Sequence, residues 1–402
     1  MNQNLRRFNF LKNIRILDLA DEKASFCTKL LADLGAYVIK VEKPGGDSSR
    51  LIGPFEKNSP HPERSLFFQY NNTNKMGITL NLEHKSGKKI FVQMLRKTDV
   101  VVETFPPGYL DQIGLGFKKL KEINPQLILM SVTGFGQSGP RKQYKTCDLV
   151  ASAFGGQMFV SGPPSTPLKP FGEQSYYTAS LFAGIGILLA LRKRVLTGKG
   201  ERIDISLQEC VVSTLEHVMV RYFYGQVIPK REGSLHWDRS FCILPCKDGH
   251  ILFIPFQKWE TLVEWIEGEG MAEDLKEEKY REEEYRRQHF DHILDVFQKW
   301  TMTHTLQELV ELAQLMRFPW APVHSPRQAL DSPQLQERGF FVKLDHTEMN
   351  QSIRYPGGPY KGLSFKLWKR APRIGEDNYQ IYKKLLGLSD QDLAELASAK
   401  VI

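Results

Sequence analysis

The sequence predicts an α/β fold built on a parallel sheet, with a second domain attached, and three observations carry that expectation. Short apolar runs alternate with amphipathic segments over residues 14–136. The runs are apolar nearly throughout rather than at every second residue, the mark of strands covered on both faces. A chain of 402 residues with 41% hydrophobic content also exceeds the size that one core usually serves.

The elements follow in order. "IRILDLA" (14–20) reads as a strand, "KASFCTKLLADLGA" (23–36) as a helix with apolar residues at three- and four-residue spacing, and "YVIKVEKPG" (37–45) as a strand closed by Pro-Gly. The alternation repeats with a helix at "KKIFVQMLRKT", a strand at "DVVVETF", one helix over "YLDQIGLGFKKLKEINP" and a strand at "LILMSVTGFG". Residues 141–170 are loop-rich, and "FGEQSYYTASLFAGIGILLALRKR" (171–194) then leads into a helix of small and branched apolar residues. "TGKGERIDISLQECVVSTLEHVMV" gives turn, strand and helix. Composition shifts over Arg231–Pro322, where an aromatic-rich hairpin precedes "EGEGMAEDLKEEKYREEEYRRQHF", a run of both charge signs that reads as a solvated helical face. "LSDQDLAEL" near the C-terminus opens with a serine suited to cap a helix.

Composition excludes several classes. The net charge of +8 arises from 54 Lys+Arg against 46 Asp+Glu, an excess that favours anionic ligands or solubility. No basic run interleaved with aromatics and no finger-type Cys/His spacing supports nucleic acid. The longest apolar run, Ser180–Leu191, is too short for a membrane span, and the N-terminal residues lack the apolar core of a secretion signal. Cys27, Cys147, Cys210, Cys242 and Cys246 are an odd, sparse set, which fits a reducing cytoplasm. No metal is expected: Cys242 and Cys246, with His236 and His250 nearby, lie in an apolar strand-turn-strand pattern where buried thiols are common, and His289 and His292 read as surface residues. "GFGQSG" (134–139) matches G-x-G-x-x-G, but Pro140 and a polar stretch follow where a dinucleotide fingerprint needs a helix to open.

Several of these pieces, in this order, resemble the class III CoA-transferase (CaiB/BaiF) family. They are "ILDLA" with "KLLADLGAYVIKVEKPGGDSSR", "VVETFPPGYLDQIGLGFKKLKEINPQLILMSVTGFGQSGP", "CDLVASAFGGQM", "GILLALRKRVLTGKGERIDISLQE", and "PGGPYKGLSF" with "PRIGEDNYQIYKKLLGLSDQDLAEL". The resemblance implies a large Rossmann-like domain over 1–225, a small inserted α+β domain over 226–325, a segment 326–402 returning to the large domain, and two chains interlocked as a dimer. It also implies that coenzyme A, as acyl-CoA, lies along the large domain. Lys43 and Arg50 would stand near its phosphates, Phe105 would make an apolar contact, and Lys145 would supply a basic group near the thioester.

In that family one aspartate attacks the acyl-CoA thioester, forms a mixed anhydride, and then carries CoA as an aspartyl thioester. Counting back from "TGKG" through "GILLAL", the expected position is Tyr176, or Ser175 with an offset of one. Glu173, three residues upstream, is the only nearby carboxylate and the alternative nucleophile. Thr104, Gln112 and Cys147 replace other family residues, and "DEKASFC" stands where Ala-Gly-Pro usually opens the first helix. A tyrosine or thiol at these places also argues against the family's racemase branch. The family includes a CoA-transferase of two unlike subunits, one of which lacks the aspartate, that moves CoA from succinyl-CoA to benzylsuccinate during anaerobic toluene breakdown. The resemblance therefore implies a non-catalytic cytoplasmic subunit paired, as heterodimer or heterotetramer, with a paralogous catalytic one. An active homodimer using Glu173, or a CoA-binding or assembly protein, are the other readings.

Overall fold

The computed structural model describes residues 11–349, 351–363 and 365–402. Two compact units are present: the described residues up to Gln157 with Pro170–Glu216 and Gln334–Ile402 form one, and Met158–Lys169 with His217–Pro333 form the other.

The first unit begins β1 (Arg15–Leu19), α1 (Ser25–Asp33), β2 (Tyr37–Glu42), α2 (Leu66–Asn71), β3 (Met76–Thr79), α3 (Lys85–Leu95) and β4 (Val100–Glu103). It continues through α4 (Tyr109–Gln112), α5 (Phe117–Ile123), β5 (Ile128–Thr133) and α6 (Asp148–Phe154). After a single turn, α7 (Gln157–Val160), all but the first residue of which belongs to the second unit, the first unit resumes with the long α8 (Gln174–Thr197), β6 (Arg202–Ser206) and α9 (Leu207–Ser213). The six strands are all parallel in the order β3-β2-β1-β4-β5-β6, so the order reverses between β1 and β4. That is a doubly wound, Rossmann-like sheet.

Alternate residues of each strand feed opposite cores, which explains why the strands are apolar throughout. In β5, Ile128, Met130 and Val132 join Leu31 of α1 and Ile187 of α8 on one face, while Leu129 joins Phe91 of α3 and Leu120 of α5 on the other. Two local expectations need correction. The segment 109–125 is two helices, because Gly114 and Gly116 interrupt it and glycine is a poor helix former. The four-residue β3 was not legible from its pattern; it is fixed from afar, its Gly77 N–H donating to Asp377 Oδ2 at 2.7 Å.

The second unit contains α10 (Glu216–Gly225), β7 (Cys242–Cys246), β8 (Gly249–Phe253), α11 (Trp259–Gly268), α12 (Glu283–Gln288), α13 (Phe290–Thr301), α14 (Leu306–Leu315), β9 (Ala321–Pro322) and α15 (Pro326–Leu330). Its antiparallel sheet β7-β8-β9 packs through Phe253 against Phe297, Trp300 and Trp320, an α+β arrangement. The chain then runs through α16 (Pro333–Glu337), the hairpin β10 (Phe341–His346) and β11 (Gln351–Pro356), and α17 (Asp390–Ser398). Among the described residues no helix is long and apolar enough to cross a membrane.

The helix α8 buries Ala179, Ala183 and Ile187 against the sheet, yet Leu181, Ile185 and Leu189, a stripe at four-residue spacing, are exposed. It stops at Gly198, whose φ of +70° suits glycine. Two residues on, Gly200 passes so close to the start of β5 that a Cβ would lie 2.0 Å from the Leu127 carbonyl oxygen. We expect Gly200→Ala to lower stability by about 1–3 kcal/mol, because backbone cannot give way, and Gly198→Ala by about 1 kcal/mol. Denaturant melts of the three proteins give the ranking, and equal midpoints for Gly200→Ala and the parent would contradict it.

Candidate functional site

Loops at the carboxyl ends of β1 to β4 border a cavity of about 620 Å3, placed at the point where the strand order reverses. Open α/β sheets bind ligands at such places, and the volume is that of an ordinary ligand pocket. Lys43 follows β2 into it, Leu80 and Leu82 follow β3, and Phe105 follows β4. Phe105 and Tyr109 meet with ring centroids 4.7 Å apart, and the Tyr109 hydroxyl donates to Glu83 Oε1 at 3.1 Å. Thr104 ties the rim together, its Oγ1 accepting from the Asp21 N–H at 3.0 Å. The Lys43 side chain is exposed, and its ammonium has no ion pair among the described residues.

Beneath the cavity lies a layer of buried charge. Asp18 at the end of β1 accepts from Lys75 Nζ at 2.8 Å and from Thr28 Oγ1 at 2.7 Å. Lys40 of β2 pairs with Asp47 at 2.5 Å and donates to the Ala20 carbonyl. Burial pushes the Lys75 ammonium down to about 8 against the pull of Asp18, while for Lys40 the carboxylates of Asp47, Asp18 and Glu42 outweigh burial and hold the ammonium charged. Arg50 belongs to this layer and not to the cavity. Its Nε and Nη2 donate to the two oxygens of Glu42 at 2.6 and 2.8 Å, Nη1 to Glu63 at 3.0 Å, and Nη2 also to the Pro372 carbonyl at 2.9 Å, with the side chain fully buried. Lys145 stands exposed in the loop before α6, away from the cavity lining. The structure thus brings together Lys43 and Phe105 of the four expected CoA contacts.

The start of α8 is a second focus. Tyr176 lies in the first turn, buried in the core, and its hydroxyl accepts from the Asp148 N–H at 3.0 Å. Burial, then the charge of Glu22, pushes this phenol well above its ordinary range, so it stays neutral. Asp148 Oδ1 in turn accepts from Ser175 N at 2.8 Å and Ser175 Oγ at 2.6 Å, so the buried carboxylate here is spent on capping α8. Glu173 is the residue preceding the helix, half-buried, and its side chain does not cap it. Glu22 bridges the two foci: its Oε2 accepts from Ser48 Oγ at 3.1 Å, and Ser48 lines the cavity. The Asp148 cap, the Lys40–Asp47 pair and Tyr109 escaped the sequence reading. Lys40 alone carried a signal, a cation inside an otherwise apolar strand. Among the described residues no group of three or more His, Cys, Asp or Glu side chains converges as a metal site.

The model of CoA-transferase family III matches residues 11–378. The chain is 33% identical over 393 residues to the succinyl-CoA:(R)-benzylsuccinate CoA-transferase subunit BbsE of Thauera aromatica, covering 95% of this chain and 94% of that protein. It is 30% identical over 402 residues to the succinyl-CoA–L-malate CoA-transferase beta subunit of Chloroflexus aurantiacus, covering 98% of each. Among solved structures, a CAIB/BAIF family protein from Brucella suis superposes with a TM-score of 0.82 at 28% identity, over 94% of this chain and 99% of that one.

Two substitutions probe the strand ends. Arg50→Ala strips buried Glu42 of the guanidinium that pairs with both its oxygens and is expected to cost about 3–5 kcal/mol in a urea melt; a loss below 1 kcal/mol would contradict the geometry. Glu103, at the end of β4, accepts from the Phe105 N–H at 2.7 Å, and burial pushes its carboxyl from 4.5 up to about 7. The folded state therefore holds this proton more tightly than the unfolded one, so the contribution of Glu103 to stability falls as pH rises from about 4.5 to 7 and is flat on either side. Glu103→Gln removes that slope: the variant should gain about 3 kcal/mol on the parent at pH 8 and almost nothing at pH 4.5. The same difference at both pH values would refute it.

Proposed function

The chain belongs to CoA-transferase family III, and on that premise we propose that it is the non-catalytic subunit of a heteromeric CoA-transferase, paired with a paralogous chain that carries the catalytic aspartate. One observation carries this reading: where register from "TGKG" puts the aspartate, the first turn of α8 presents Tyr176, buried, neutral and held by the Asp148 N–H. A nucleophile that becomes anhydride and then thioester must be a carboxylate. A phenol attacked by the thiolate returns the acyl group to CoA and gains nothing.

Supporting it, both relatives named above are subunits by their printed names, and the exposed stripe Leu181, Ile185 and Leu189 on α8 offers apolar surface for a second chain to cover in an interlocked dimer. Succinyl-CoA is the proposed donor and benzylsuccinate or a related acid the proposed acceptor, following the names of those relatives. The cavity with Lys43 and Phe105 is where this chain would hold the nucleotide of CoA; Arg50 shapes the floor rather than meeting phosphate, and Lys145 stays a candidate only for a ligand reaching the loop before α6. Five free cysteines accord with the cytoplasm.

The test is reconstitution with succinyl-CoA and (R)-benzylsuccinate. The chain alone should be inactive, and the pair with an aspartate-bearing paralogue active. Tyr176→Phe in this chain should leave the pair within about threefold of its rate, whereas replacing the paralogue's aspartate should cost about 10³-fold or more. Transfer by the chain alone, lost in Glu173→Gln, would overturn the proposal in favour of an active homodimer.

A further inference from the structure

The cavity at the strand ends contains a cation outside every motif read from the sequence. Four carboxylates border it, and each is engaged: Asp21 by Lys23, Glu42 by Arg50, Asp47 by Lys40, and Glu83 by the Tyr109 hydroxyl. Two lysines border it as well, Lys43 and Lys400, both exposed, and neither ammonium has an ion pair or hydrogen bond among the described residues. They come from opposite ends of the chain's sequence, after β2 and after α17.

Lys400 reaches the cavity on a fixed mount. Its N–H donates to the Ala397 carbonyl at 3.0 Å and the Val401 N–H to the Leu396 carbonyl at 2.9 Å, the paired bonds of a Schellman stop to α17. That stop holds Lys400 at φ +53°, where glycine is the usual residue. Val401 is fully buried in the core with Ile90 and Phe91, and its carbonyl accepts from the Asn81 N–H at 2.8 Å. Asn81 itself lines the cavity. A buried anchor on one side and the helix stop on the other therefore present a lysine where the backbone alone would take a glycine.

We propose that Lys400 and Lys43 form an ammonium pair that binds the phosphate groups of the CoA nucleotide, with the Phe105–Tyr109 wall beside its ring. Compact, strongly hydrated point charges suit phosphate oxygens, and aromatic faces suit a base. The inference rests on the reading that this chain binds CoA.

The experiment is calorimetric titration of the full chain with CoA at low and high salt. Lys400→Gly removes the ammonium and also fits the left-handed backbone, so the fold is retained, as an unchanged melting midpoint would verify. It should weaken CoA binding about tenfold at low salt and flatten the salt dependence, and Lys400→Arg should restore most of the loss. If the parent binds CoA and Lys400→Gly binds it equally well, the role of Lys400 is overturned while the CoA reading stands. If the parent shows no binding of CoA at millimolar concentration, both fall.

Discussion

A carboxylate sealed from water at the end of β1 sets the terms for everything around it. Asp18 is fully buried, and a charge in that position is tolerated only when hydrogen-bond donors and a counter-charge meet it. Lys75, Thr28 and the Ala20 N–H supply them at 2.8, 2.7 and 3.0 Å, from the approach to β3, from α1 and from the turn after β1. Lys75 is held further by the Ser25 carbonyl and Asn72 Oδ1. The turn after β1, helix α1 and the entry to β3 are thereby tied to one carboxylate. The same burial, with the charge of Asp18, raises the neighbouring Cys27 thiol to about 12, which leaves it inert. The cavity above can be preformed because its floor has no freedom to relax.

How much of this was legible depended on the distance over which each feature is specified. Apart from β3 and the break between α4 and α5, the strands up to β5 follow local pattern; Lys43 and Phe105 came from the family resemblance, and a parallel sheet delivers the residue after each strand to the same edge. Tyr176 was reachable too, since the glycines after α8 fix its register. Arg50 was not. A cation in a polar loop looks free, and its burial depends on Glu42 eight residues before it and on the Pro372 carbonyl 322 residues after it. β3 failed for the same reason, since its four residues owe their place to Asp377 and Asn378. The break between α4 and α5 was written in two glycines, and there the amphipathic pattern outweighed them.

The first turn of α8 joins chemistry to packing. A nucleophilic carboxylate at Tyr176 would need room and solvation. The ring instead fills the core with Ala179 and Ala183, and Asp148 turns its charge to the Ser175 amide and hydroxyl. On its outer side the same helix leaves an apolar stripe exposed, so its two faces meet different surroundings, the sheet within and solvent without.

The contacts between β3 and residues 372–401 also impose a timetable. Gly77, Thr79 and Asn81 all bond to backbone or side chains at positions 377, 378 and 401. On a ribosome, the edge of the main sheet stays open while some three hundred further residues are made. His217–Pro333, continuous in sequence for most of its unit, is synthesised within that interval. Domains tend to fold as units during synthesis. The later-made body can thus consolidate first, and the earlier-made sheet must wait, its edge strand unpaired and in need of shelter, for the segment that closes it.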